Sequence, residues 1–227
     1  MQQKVAGAFA VLFTVSQVVT FAQSGPPKAA IDITDEQVKA VNATPGVDRQ
    51  LRIVDMGKYN LAVGIVHRGP TAGAARGGAA GRAAGAGAGA GRGAPGAGAP
   101  TPVRCGEIRE TPPADGVPGA IAHDNTAETY VIVSGGGTLV TGGSIVNGTR
   151  SAPESDVTKI LNGPSCSGIA AGTVVRRSVK PGDIIIIPAG VPHGWTDITD
   201  HVDYLSVRPD PDKVLQSGYA HPALTTK

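Results

Sequence analysis

From residue 50 onward the chain is a series of short apolar segments, each cut off by Gly, Pro, Asn or Asp. They are QLRIVDM (50–56), YNLAVGIVHR (59–68), VRCGEIRE (103–110), TYVIVS (129–134), GTLVTGG (137–143), SIVNG (144–148), TVVRRSV (173–179), DIIIIP (183–188) and VDYLSV (202–207). Segments of this length between turn-forming residues read as β-strands. Many in succession leave a sandwich or barrel as the way to bury their faces, so the fold class is all-β. The one helical signal precedes them: Thr34 followed by Gln37 matches a capping box, and Val38 and Val41 share a helical face. A short helix is predicted over residues 35–42, stopped by Pro45 and Gly46.

The ends and one internal tract set the domain organisation. Residues 1–22 carry a cation at Lys4, an apolar run from Val5 to Val15 and small residues at Thr20 and Ala22, which reads as a secretory signal peptide. The apolar run is shorter than the roughly 20 residues that span a bilayer, so an uncleaved anchor is the weaker reading. An exported chain, periplasmic or extracellular, with no membrane span in its mature part is expected. Residues 23–49 form an extension with the short helix, 50–208 the β-barrel and 209–227 a C-terminal tail. Residues 71–100 are almost entirely Gly and Ala with scattered Arg and Pro. With too little side chain to offset ordering entropy, they are predicted to be a disordered insertion.

Charge excludes one class of partner. Lys4, Arg76, Arg82 and Arg92 fall in the leader or the low-complexity tract, and setting those four aside turns the formal +2 into −2. A nucleic-acid binder concentrates cations on its folded part, so no nucleic-acid partner is expected. The two cysteines, Cys105 and Cys166, suit one disulfide in an oxidising compartment; two buried thiols are the alternative.

Two stretches carry chemistry. In PGDIIIIPAGVPHGWTD (181–197), Pro181-Gly182 forms a turn, DIIII reads as a strand buried on both faces, and Pro188, Gly190 and Pro192 fix a second turn that delivers His193 to the next strand. In AHDNTAETY (122–130), His123 and Glu128 are an odd number of residues apart, so an unbroken strand would aim them at opposite faces. A turn through DNTA must bring them together. Asn125 then points toward the site as a weak ligand or substrate contact. Alternation puts Tyr130 and Ile132 on the face of Glu128, and Trp195 and Asp197 on the face of His193. Tyr130, Trp195 and Asp197 are candidate substrate contacts, with core packing the plainer reading for both aromatics and turn bonding for Asp197. His67, His201 and His221 read as surface or hydrogen-bonded residues.

The spacing of these two stretches, in this order, resembles the two motifs of the cupin superfamily over about residues 50–208. The resemblance implies an antiparallel jelly-roll barrel and a divalent metal ion, Fe, Mn, Ni or Zn, held by His123, Glu128 and His193. Ile121 stands where a further ligand histidine would be, so the set left is two imidazoles and a carboxylate, like the facial triad of non-haem iron oxygenases. The implied function is a metal-dependent enzyme, of oxygenase or isomerase type, acting on a small organic molecule. A non-catalytic module binding a small ligand or metal is the alternative. Cupin barrels often pair through their sheets, so a homodimer is also expected.

Overall fold

In a computed structural model, residues 25–71 and 102–224 are described. Residues 1–22, where a signal peptide is expected, and the Gly/Ala-rich insertion beyond Thr71 lie outside the described residues. Helix α1 spans Asp35–Asn42, and both capping-box bonds form: the Gln37 amide donates to Thr34 Oγ1 (3.3 Å) and the Thr34 amide to Gln37 Oε1 (3.1 Å). Ten strands follow: β1 (Asp48–Asp55), β2 (Asn60–Arg68), β3 (Arg104–Cys105), β4 (Val117–His123), β5 (Glu128–Gly135), β6 (Gly137–Arg150), β7 (Ser165–Val179), β8 (Ile184–Ile187), β9 (His193–Thr196) and β10 (Val202–Asp210).

They form two five-stranded antiparallel sheets, ordered β1-β2-β10-β5-β8 and β3-β6-β7-β4-β9. In the second, β9 pairs with β6 as well as with β4, so the sheet curls on itself. The main core lies between the sheets, where Val66, Ile132, Leu139, Ile198, Val202 and Tyr204 are each at most 2% exposed. Full burial of such side chains stabilises by roughly 1.5–3 kcal/mol apiece. On the outer face of the first sheet, α1 lays Val41 against Leu51 and Ile65.

Several expectations need correction. VRCGEIRE is a strand only at Arg104–Cys105, because Gly106 turns at φ 71° with its Cα against the Ile145 carbonyl, where a Cβ would come within 2.3 Å. GTLVTGG and SIVNG are one bulged strand, β6, and TVVRRSV is the second half of β7. Strand β4 was not foreseen: VPGAIAH lacks the β-branched density of its neighbours. DIIII is not buried on both faces. Ile187 is buried, but Ile184 and Ile186 are 64% and 73% exposed, since β8 is an edge strand and, among the described residues, nothing covers its outer side. The described part of the C-terminal tail packs on the barrel: Leu215 is buried, the His221 amide donates to the Leu51 carbonyl, and the turn Pro222–Leu224 packs beside α1. The cysteines do form a disulfide, with Cα atoms 6.0 Å apart, tying β3 to β7.

Candidate metal centre

His123 ends β4 in one sheet and Glu128 begins β5 in the other, with the chain turning through residues 124–127. That crossing resolves the odd spacing, because the two side chains approach the barrel interior from opposite walls. His193 opens β9 and pairs with both Ile121 on β4 and Thr141 on β6. Ile121 therefore lies beside His193 on the inner face, partly buried. The side chains of His123, Glu128 and His193 are nearly inaccessible, and their donor atoms all lie within 4.8 Å of one another.

The hydrogen bonds around the imidazoles assign their protons. Ser165 Oγ donates to the Gly163 carbonyl (2.8 Å), so toward His123 Nδ1, also 2.8 Å away, it can only accept. His193 Nδ1 lies 3.0 Å from the Val191 carbonyl, which accepts only. Both Nδ1 atoms are thus donors, so a ring that carries a single proton presents a lone pair at Nε2. These Nε2 atoms stand 3.2 Å (His123) and 3.0 Å (His193) from Glu128 Oε2. Burial, only partly opposed by Glu128, pushes the His123 imidazole below its usual range and keeps it neutral. Lone pairs facing a carboxylate in a dry interior repel unless a cation lies among them. Donors about 2.0–2.2 Å from one ion and at right angles stand about 3.0 Å apart, so the three residues fit a divalent metal.

Glu128 is held on both oxygens. Oε1 accepts from Arg208 Nε (2.6 Å) and Ser206 Oγ (2.9 Å), and Oε2 from the Tyr130 hydroxyl (2.6 Å). Burial, the largest influence, opposes its ionisation, but the Arg208 guanidinium beside it favours the charged form and holds the carboxyl well below the usual range. Burial and the neighbouring Glu128 keep the Tyr130 phenol protonated well above its usual range. Arg208 is 1% exposed. Its other nitrogens bond Asp48 Oδ2 (2.7 Å), Gln50 Oε1 (3.3 Å) and the Leu161 carbonyl (3.2 Å).

Tyr130 is therefore at the site. Trp195 is 7% exposed and stacks on Tyr204 with ring centroids 5.4 Å apart, one strand step from His193. Asn125 and Asp197 are not at the site. Asn125 is exposed in the turn and donates to Asp212. Asp197 is exposed at φ 55°, a left-handed residue that ends β9 and breaks the alternation, and it accepts from Thr196 Oγ1 (2.9 Å). His67 pairs with Asp203 (2.6 Å), His201 with Asp200 (2.7 Å), and His221 Nδ1 accepts from the Ala223 amide (3.1 Å). Sequence reasoning missed Ser165, Ser206 and Arg208. The alternation in β10, with Val202, Tyr204, Ser206, Arg208 and Asp210 all buried, was the available signal, but three polar residues in that set read as an outward face.

Two antiparallel sheets, with each motif crossing from one sheet to the other around one interior, decide the class of fold. The chain is an antiparallel jelly roll. No protein-family model and no curated protein matches the sequence. Among solved structures this chain is similar to a protein with a double-stranded β-helix domain from Klebsiella pneumoniae, at 13% identity and TM-score 0.34, covering 78% of this chain and 89% of that one. A Bacillus halodurans protein is similar at 12% identity and TM-score 0.37, covering 87% and 93%. An oxalate oxidase bound to the substrate analogue glycolate is similar at 11% identity and TM-score 0.32, covering 75% and 55%. Likenesses this distant carry no argument about the chemistry, which rests on the side chains above.

Proposed function

We propose that the chain is an exported enzyme that binds one divalent metal through His123, Glu128 and His193 and transforms a small organic molecule, most simply by oxygenation. The observation that carries this reading is the meeting of two imidazole Nε2 atoms at 3.2 and 3.0 Å from one carboxylate oxygen, each ring with its Nδ1 proton committed elsewhere. A bound Fe, Mn, Ni or Zn ion would supply Lewis acidity and, for the redox-active metals, electron transfer. The chain's own residues do the rest. Ser165 and the Val191 carbonyl orient the rings, Arg208 and Ser206 occupy Glu128 Oε1 so that Oε2 faces the histidines, and Tyr130 donates its proton to that oxygen. The disulfide suits an exported protein. Among the described residues no helix is long and apolar enough to cross a membrane. The test is turnover by the metal-loaded protein across a panel of small organic substrates, with oxygen uptake followed. Activity abolished in His193→Ala supports the proposal, and activity surviving that change overturns it.

The second reading, a non-catalytic binding module, is favoured by one observation: neither the cavity beside Gly135–Thr138 nor the groove beside Ile184–Ile187 is lined by His123, Glu128 or His193. Stoichiometric metal without turnover across the panel would select it. Pairing of two copies, expected from the exposed strand edges, belongs to the same proposal, and sedimentation that finds only monomer at micromolar concentration removes it.

A further inference from the structure

A groove of about 230 Å³ lies between β8 and the inner face of the β6–β7 hairpin. Its floor is read from the strand register, in which cross-strand partners point to the same side. One row runs Val175–Thr141–His193 and the next Arg177–Leu139–Trp195. The facing wall is β8, where Ile187 pairs with Glu128 and Ile185 with Tyr130. The groove thus ends one ladder step from the proposed metal ligands on both sheets. From Val175 to His193 is two strand spacings, about 10 Å.

This lining is apolar except for Thr141 and one charged side chain, Arg177. Arg177 is exposed, and among the described residues it takes part in none of the hydrogen bonds or ion pairs that engage Arg49, Arg68, Arg109, Arg150 and Arg208. A planar guanidinium beside an apolar wall suits a carboxylate attached to an apolar body, binding the anion with two parallel bonds while the wall covers the body. The volume falls below the roughly 300–1,000 Å³ of drug-sized pockets, so the body must be compact.

We propose that this groove binds a compact apolar carboxylic acid, its carboxylate on Arg177 and its body directed along Thr141 toward His193. The proposal deepens the metal-enzyme reading and rests on it only in making this acid the substrate. Trp195, the sole tryptophan of the chain, ends the Arg177 row and reports on the groove by its fluorescence. The experiment titrates the purified full chain with benzoate and hexanoate, with benzyl alcohol as the uncharged comparator. At least one acid is expected to give a saturable change that weakens at least tenfold in Arg177→Met, while the response to benzyl alcohol is the same in both proteins. An unaltered metal content in Arg177→Met shows that the barrel is intact. No saturable response to either acid in the wild type, or equal affinity in Arg177→Met, overturns the groove assignment. His193→Ala separates the two readings: it is expected to lose metal yet keep acid binding. A wild type that takes up no metal but binds acid through Arg177 leaves the groove standing and removes the metal reading alone.

Discussion

Arg208 Nε lies 2.6 Å from Glu128 Oε1, and both residues are 1% exposed. On its other side the guanidinium reaches Asp48 Oδ2 at 2.7 Å. The cation therefore sits between two carboxylates inside the barrel, its charge favoured by both against the cost of burial. Removing it leaves Glu128 and Asp48 without a counter-charge. Breaking a buried pair from one side costs about 3–5 kcal/mol, so Arg208→Met should lose that much stability in urea unfolding of the metal-free protein. Arg208→Met combined with Glu128→Gln should recover part of it. A loss below about 1 kcal/mol would show that the pair is not buried as described.

Ser165 acts on the centre through His123. Its hydroxyl is 0% exposed as part of the residue, accepts from Nδ1 and donates to Gly163. Partners of this kind fix ring orientation, and losing one typically weakens metal binding about 10–100-fold. Ser165→Ala should show that loss in a chelator competition while costing only about 1 kcal/mol of stability. Unchanged metal affinity would mean that the hydroxyl does not orient the ring.

The Cys105–Cys166 disulfide closes 61 residues of chain, a loop for which chain entropy gives about 4 kcal/mol. Replacing both cysteines by serine should lower the urea midpoint accordingly, with metal content retained. A midpoint that does not move contradicts the bond.

The two sides of β8 should respond differently to the same change. Ile187 is 2% exposed and Ile186 73% exposed. Ile187→Thr should destabilise by about 2 kcal/mol or more, through lost burial and a hydroxyl placed in the core. Ile186→Thr should stay within about 0.5 kcal/mol. Equal losses would place both side chains inside.

How much could be read in advance depended on whether a feature was local. The α1 boundaries were legible because the Thr34–Gln37 cap is a contact three residues apart. The convergence of His123, Glu128 and His193 was legible because the two stretches that carry them resemble the cupin motifs in spacing and order. Features set by neighbouring strands were not: Ile184 and Ile186 looked like core because edge position is invisible in DIIII. The packing of the tail after residue 208 was not legible because its partner, β1, lies about 160 residues earlier, as in the Lys213–Asp55 ion pair, 2.7 Å. Arg208 and Ser206 were missed because polar residues in a strand ordinarily face water, and only the facing Glu128 and Asp48 make burial tolerable. Asp197 failed on a single left-handed residue, φ 55°, that alternation cannot anticipate.

The central claim is that the two Nε2 atoms and the Glu128 carboxylate share one cation. Elemental analysis after purification, and again after reconstitution with Fe, Mn, Ni or Zn followed by desalting, tests it most directly, with folding checked by circular dichroism. The account predicts one divalent ion per wild-type chain and none in His193→Ala or Glu128→Ala. A wild type that retains no metal, or variants that retain as much as the wild type, would contradict it.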